Sequence, residues 1–198
     1  MNAPLHVGLL TPAIVGATGV ASGIGAHFRH LADALTSAGH RVTVLLVTEN
    51  QISPPADLPF AVRAVQISPS PAAHLIVQVH WQLHQWTCLR AAIHTASRAA
   101  HGLDVDIWET TSTGSLALDF LASRRRAPVV TRVSTTAAQL RATNAGAVHW
   151  VNRRIEAWER MAVLRSDRVF THSASHRGAI GVEFGLALKS IAIVPHGI

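Results

Sequence analysis

HVGLL at residues 6–10, SGIG at 22–25 and AGHRVTVLLV at 38–47 together decide the fold of this chain. Between the last two segments, apolar residues recur every three or four positions, which predicts a helix with one buried face. Gly39 stands where a helix C-terminal glycine belongs. The strand that follows is apolar almost throughout, as a parallel strand buried on both faces is. These segments predict a strand, a glycine-bearing turn, a helix and a second strand.

The rest of the chain repeats this alternation. Strands are predicted at residues 5–10, 42–47, 60–65, 106–109, 128–133, 169–171 and 191–194, and helices at 75–101, 116–121, 150–165 and 173–184. Residues 134–148, rich in Thr, Ala and Gly, are interpreted as an irregular segment. Alternating strands and helices indicate one Rossmann-like α/β domain, with a mostly parallel sheet and helices on both faces.

Composition limits the possible classes of protein. The 198 residues suffice for one substantial domain, and no apolar run is long enough to span a bilayer. Cys88 is the only cysteine, so we expect no internal disulfide and a reducing, cytoplasmic location. The net charge is +6, but its arginines are dispersed, and the one run, residues 124–126, is interpreted as a solvated helix end. We therefore expect no nucleic-acid partner.

The candidate binding residues stand where strands end or helices begin. In a parallel sheet, ligands bind beyond the carboxyl ends of the strands. A glycine turn at a helix N-terminus offers backbone N–H groups to an anion or a hydroxyl-rich ligand. We expect one rim to gather the loop Ser22, Gly23, Ile24 and Gly25 with the more distant Glu109, Arg132, Ser134, Thr135 and Ser173.

Each of these residues also has a structural alternative. The glycines suit a tight turn without a ligand, and Ser173 suits the N-cap of the helix it begins. A solvated carboxylate explains Glu109 equally well, and the capping of a turn explains residues 134–136 equally well. His80 and His84 are four residues apart on a predicted helix, but no third ligand accompanies them, so no metal site is expected.

Three segments resemble glycosyltransferase family 4, whose members have the GT-B architecture. Residues 22–44 are similar to the family's glycine loop, helix and RGHEVTV strand. Residues 155–173 resemble its stretch ending in AD-x-V-x-x-x-S, and residues 185–198 resemble its KI-x-VIPNGID exit strand. Each motif is short, but their order and spacing together are fairly specific to the family.

The resemblance implies an N-terminal, acceptor-side domain over residues 1–198, whose partner is a C-terminal nucleotide-sugar domain that this chain lacks. It implies transfer of a glycosyl group to a sugar or glycoside acceptor, usually with retention, from a nucleotide-sugar and without a metal or other cofactor. It also implies that Gly23 offers its N–H to the donor diphosphate, while no catalytic residue is assigned. Ser22 replaces the first glycine of the usual pair, and Ser134 stands where many members carry a histidine.

Two other hypotheses remain at this stage. One is a non-catalytic Rossmann-like binding module, which the serine at position 134 favours, or the subunit of a split enzyme. The other is contact with a membrane surface through a helix face with Arg153, Arg154, Arg160 and Arg165, but a solvated basic face explains these residues better.

Overall fold

The computed structural model describes residues 3–16, 22–49, 51–52, 57–67, 81–124, 126–143 and 149–195. The strands in these ranges are β1 His6–Thr11, β2 Arg41–Thr48, β3 Ala61–Gln66, β4 Ile107–Thr111, β5 Val129–Arg132, β6 Arg168–Thr171 and β7 Ile191–Ile193. The helices are α1 Gly23–Ser37, α2 Trp81–His101, α3 Leu118–Leu121, α4 Ala137–Thr143, α5 Trp150–Arg165 and α6 Ala174–Phe184. Short 3₁₀ turns cover Thr113–Ser115 and Leu188–Ser190.

The strands form one sheet in the order β3-β2-β1-β4-β5-β6-β7, and every neighbouring pair is parallel. The prediction of a Rossmann-like parallel sheet is confirmed. Because β1 lies between β2 and β4, the connections that follow β1 and β4 leave in opposite directions across the sheet. Such a switch opens a crevice at the carboxyl ends of the central strands.

Helices cover both faces, as predicted. On one face, α1 buries Phe28 and Ala32 against β1 and β2, while α6 lies on the other face and forms a separate cluster with β6 and β7 around Ile180. On the other face, α2, α3 and α5 share the largest cluster, in which Trp108 of β4 is 2% exposed. Residue 8 of β1 must be glycine there, because a Cβ atom would lie 2.5 Å from Cε3 of the Trp108 ring.

The buried face of α2 differs in part from the predicted one. The spacing of Leu75, Val79, Leu83, Trp86, Leu89 and Ile93 predicts that these residues point inward. Ile93 is buried, and Trp86 and Leu89 pack against the core, but Leu83 is 37% exposed, and the buried residues also include Cys88, Ala92, Ala96 and Ala100. The alanines allow α2 to approach the sheet and α3 closely, which bulkier residues would prevent. The predicted start of this helix, together with Pro69, Pro71 and His80, lies outside the described residues.

Residues 134–148 were predicted to be irregular, and this was wrong where they are described, because Ala137–Thr143 forms α4. Its start is fixed by a reciprocal pair of bonds. The N–H of Gln139 donates to Thr136 Oγ1 at 3.1 Å, and the N–H of Thr136 donates to Gln139 Oε1 at 3.1 Å. This capping box offsets the lack of an apolar stripe. The helix predicted at 116–121 is also shorter, spanning only Leu118–Leu121.

Two arginines from the basic segments of the sequence form contacts between structural elements. Arg126, from the predicted basic run, pairs with Asp167, and Arg125 lies outside the described residues. Arg160 of α5 donates to the backbone carbonyl of Glu183 at 2.9 Å, which joins α5 to α6. No helix in the described ranges is long and apolar enough to cross a bilayer.

Candidate functional site

The N-terminus of α1 opens the site. Ser22 has extended backbone, and its Oγ accepts the N–H of Gly25 at 2.9 Å, so the helix begins at Gly23. Gly23 is exposed, and a Cβ atom there would meet nothing within 4 Å. Its backbone therefore faces open space. Gly25 is buried instead: its carbonyl accepts the N–H of Val15 at 3.3 Å, and a Cβ atom would lie 3.3 Å from that nitrogen.

A cavity of about 380 Å³ lies in front of this N-terminus, and we call it the cleft cavity. Six of the sequence-predicted residues line it, namely Ser22, Gly23, Ile24, Arg132, Ser134 and Thr135. Four residues that the sequence analysis did not select complete its wall: Phe28, Thr111, Thr113 and Leu140. Residues from α1, β4, β5 and α4, which are far apart in sequence, thus meet at the carboxyl edge of the sheet.

A buried cation forms the floor of the cleft cavity. Arg132, at the end of β5, is only 6% exposed, and burial lowers its pKa while the charge of Glu109 acts in the opposite direction. An arginine stays protonated in proteins nonetheless. Taking a cation out of water is unfavourable unless negative charge compensates it. Glu109 supplies part of that compensation, and the positive charge of Arg132 would also attract an anion bound in the cavity.

Glu109 lies behind the cavity rather than on its rim. It was expected at the exit of a strand, but β4 continues for two residues beyond it, so its side chain faces α1. There its Oε1 lies 3.2 Å from Nε2 of His27, with 18% of the glutamate side chain and 22% of the histidine side chain exposed. Glu109 thus contacts α1 through His27, and its charge also acts on Arg132. The His27 partner carried no sequence signal, because the pair is 82 residues apart.

The loop that carries Ser134 and Thr135 is anchored from below by Glu159. This α5 carboxylate is 2% exposed, and its Oε2 accepts the N–H of Ala137 at 2.7 Å. Its Oε1 makes no well-formed hydrogen bond among the described residues, although the Ser112 hydroxyl lies close enough to lower the pKa of the carboxyl. Burial raises the pKa of Glu159 to about 7, and the bond from Ala137 offsets only part of that effect. The protonation state of Glu159 therefore affects the contact that holds the N-terminus of α4.

Ser173 does not reach the cleft cavity. Its Oγ accepts the N–H of His176 at 3.2 Å, so it caps α6, which is the structural alternative that the sequence offered. His84 contacts the Cys88 sulfur through Nε2 at 3.5 Å. Among the described residues, no group of three or more His, Cys, Asp or Glu side chains is arranged to hold a metal ion.

Comparison with known proteins identifies a family that this chain matches. The family model Glycosyltransferase Family 4 matches residues 21–198. Among solved structures, a sucrose-phosphate synthase from Thermosynechococcus elongatus is 12% identical with a TM-score of 0.64, covering 98% of this chain and 48% of that chain. No curated protein matches the chain in sequence.

Two further structures have the same fold. Phytolacca americana UGT2, complexed with UDP-2fluoro-glucose and pterostilbene, is 12% identical with a TM-score of 0.57, covering 99% of this chain and 53% of that one. CalG4, the calicheamicin glycosyltransferase, is 13% identical with a TM-score of 0.56, covering 100% of this chain and 53% of that one. The chain therefore spans about half the length of the structures it matches.

Proposed function

The chain belongs to glycosyltransferase family 4, and we propose that residues 1–198 form the acceptor-side half of a GT-B enzyme. A C-terminal domain that holds a nucleotide-sugar is its proposed partner. Together they transfer a glycosyl group to an acceptor hydroxyl in the cytoplasm, with retained anomeric configuration and no metal. The half-length match to two-domain glycosyltransferase structures supports this division.

One observation carries the proposal: an exposed helix N-terminus and a buried arginine line the same cleft cavity. Gly23 and Arg132 are both among its lining residues. A diphosphate suits such a place, because amides at a helix N-terminus and a guanidinium stabilise phosphate oxygens. Glycine at position 23 keeps the approach open, since any side chain would project into the cavity.

In the proposed reaction, these two groups stabilise the negative charge that develops on the leaving diphosphate. The acceptor oxygen forms a bond to the anomeric carbon, and the bond between that carbon and the diphosphate oxygen breaks with its electron pair. The hydroxyl proton passes to the departing diphosphate or to water. Ser134 and Thr135, on the cavity wall, are proposed to bind hydroxyls of the substrates.

Isothermal titration calorimetry of the purified chain with inorganic pyrophosphate tests the anion site. We expect Arg132→Gln to weaken binding by about 10-fold to 100-fold, because a hydrogen bond to a charged group contributes about 1.5–3 kcal/mol. Gly23→Val should weaken it by obstruction. Arg98→Gln, which removes an exposed arginine of α2, is the matched control and should change nothing. Equal affinity in all four proteins would contradict the proposal.

A non-catalytic binding module is the second candidate, favoured by Ser134, which lines the cleft cavity where many family members carry a histidine. Addition of a family C-terminal domain and a nucleotide-sugar discriminates the two. Turnover that appears only in the mixture supports the enzyme, whereas binding of an acceptor without turnover in the mixture supports the module.

A further inference from the structure

A second, larger cavity adjoins the cleft cavity, and we call it the apolar chamber. It has a volume of about 600 Å³ and lies at the carboxyl ends of β2 and β3, between α2 and α5. Its wall is mostly apolar and includes Val47, Ile67, Cys88, Leu89, Ala92 and Ile155. Cavities of roughly 300–1,000 Å³ with this kind of lining hold small organic ligands.

Few polar groups border the apolar chamber. Among its described lining residues, the side chains with polar groups are Glu49, His84, Gln85, Thr113 and Trp81, besides the thiol of Cys88. A sugar carries a hydroxyl on nearly every carbon, and each one that loses water without gaining a partner costs binding free energy. An apolar ring system loses no such bonds and gains by leaving water. The lining therefore favours a ligand with an apolar body and few hydroxyls.

Thr113 connects the two cavities, because it lines both of them. It begins the 3₁₀ turn Thr113–Ser115, in which Gly114 has a φ of 74° and Ser115 a φ of 51°. A ligand that fills the apolar chamber and extends past this turn reaches the cleft cavity. A hydroxyl at that end of the ligand would face the space where the diphosphate is proposed to bind.

We propose that the acceptor is a hydroxylated molecule with a largely apolar, ring-sized body, which binds in the apolar chamber and presents its hydroxyl past Thr113 into the cleft cavity. This inference rests on the proposed function, since it assigns the acceptor of that same site. It replaces the sugar or glycoside acceptor that the family resemblance implied with a hydrophobic alcohol or phenol.

Cys88 provides a direct test, because it is the only thiol in the chain and lies in the chamber wall, 8% exposed. Burial, and to a lesser extent the charge of Glu49, raises the pKa of the thiol. Its labelling by methyl methanethiosulfonate is therefore expected to be slow enough for its rate to be measured directly. With 2-naphthol at five times its Kd, labelling should slow by about sixfold, the factor for mutually exclusive binding. Methyl glucoside at the same concentration should give no protection.

A pair of variants adds a second measurement, using the fluorescence of 2-naphthol itself. Ile155→Trp places an indole in the chamber and should weaken 2-naphthol binding by about tenfold, since it fills the space that the ligand needs. Ala157→Trp, an exposed position on the same helix, is the control and should bind as the parent does. If Ile155→Trp does not fold, the thiol measurement on the parent chain decides alone.

Three results would overturn the proposal: no protection by 2-naphthol, equal or stronger protection by methyl glucoside, or a thiol that resists the small reagent without any ligand. The last result would mean that the chain itself closes the chamber. These readouts are independent of pyrophosphate binding. A failed anion titration refutes the cleft cavity as a donor site, whereas failed thiol protection refutes only the acceptor class.

Discussion

The buried carboxyl of Glu159 should make the fold less stable as the pH rises, and Glu159→Gln should remove that loss. The pKa of this group is raised from 4.5 to about 7, chiefly by burial. The folded state therefore holds a proton that the unfolded chain releases. Its contribution to stability is fully present below pH 4.5 and is lost as the pH rises through about 7.

The magnitude follows from the difference between the two pKa values. One pKa unit corresponds to about 1.4 kcal/mol, so the raised value represents a loss of about 3 kcal/mol between pH 4.5 and pH 8. Glutamine keeps an oxygen that accepts the N–H of Ala137 but carries no charge at any pH. The stability of Glu159→Gln relative to the parent should therefore rise by about 3 kcal/mol over this interval.

Urea unfolding followed by circular dichroism, at four pH values from 4.5 to 8, measures this difference. Other groups that titrate in the window, such as His176, whose pKa is lowered by burial and by His172, cancel between parent and variant. Asp57→Asn, which removes an exposed carboxyl before β3, is the control and should show no such trend. A difference that stays constant with pH would refute the reasoning about Glu159.

Two further predictions test the packing of the core and the proposed division of the enzyme into an acceptor domain and a donor domain. Gly8→Ala should lower the free energy of unfolding by roughly 1–3 kcal/mol, because its methyl group would overlap the Trp108 ring. Gly102→Ala, whose nearest neighbour would lie at 3.5 Å, is the control, and equal urea midpoints for the two variants would contradict the close packing of β1 on β4. A protein consisting of residues 1–198 alone should transfer no sugar from any nucleotide-sugar, because the proposed donor domain is not among these residues. Robust turnover in a coupled nucleotide-release assay would count against the two-domain proposal.

The sheet was predictable because its strands carry their own signal. Parallel strands are buried on both faces, so β2 is apolar almost throughout. The helix that follows β1 is recognised from the spacing of its apolar residues and from the N-cap residue Ser22. Those patterns are local. The alternation of β and α predicted a parallel sheet but not the order of its strands, and it placed the N-terminus of α1 at the carboxyl edge of the sheet.

The parts that escaped prediction depend on distant contacts or small residues. The segment forming α4 has no apolar stripe, and only the T-x-x-Q spacing of Thr136 and Gln139 signalled a helix. The face of α2 was misplaced because a stripe of alanines and a stripe of larger residues both fit the helical period. The His27–Glu109 pair and the apolar chamber arise only when β4 is paired with β1, which no local pattern reveals.

The pairing of β1 with β4 has a consequence during synthesis. Strand β1 emerges first, yet the neighbour that bonds to its second edge arrives about a hundred residues later, where the N–H of His6 donates to Asp106. At roughly 5–20 residues per second, translation leaves that edge without its partner for about 5–20 s. Until then, the nascent chain presents unpaired amides beside apolar side chains, a surface on which two ribosome-bound copies can adhere. Slowing elongation between codons 48 and 107 should therefore lower the yield of native protein.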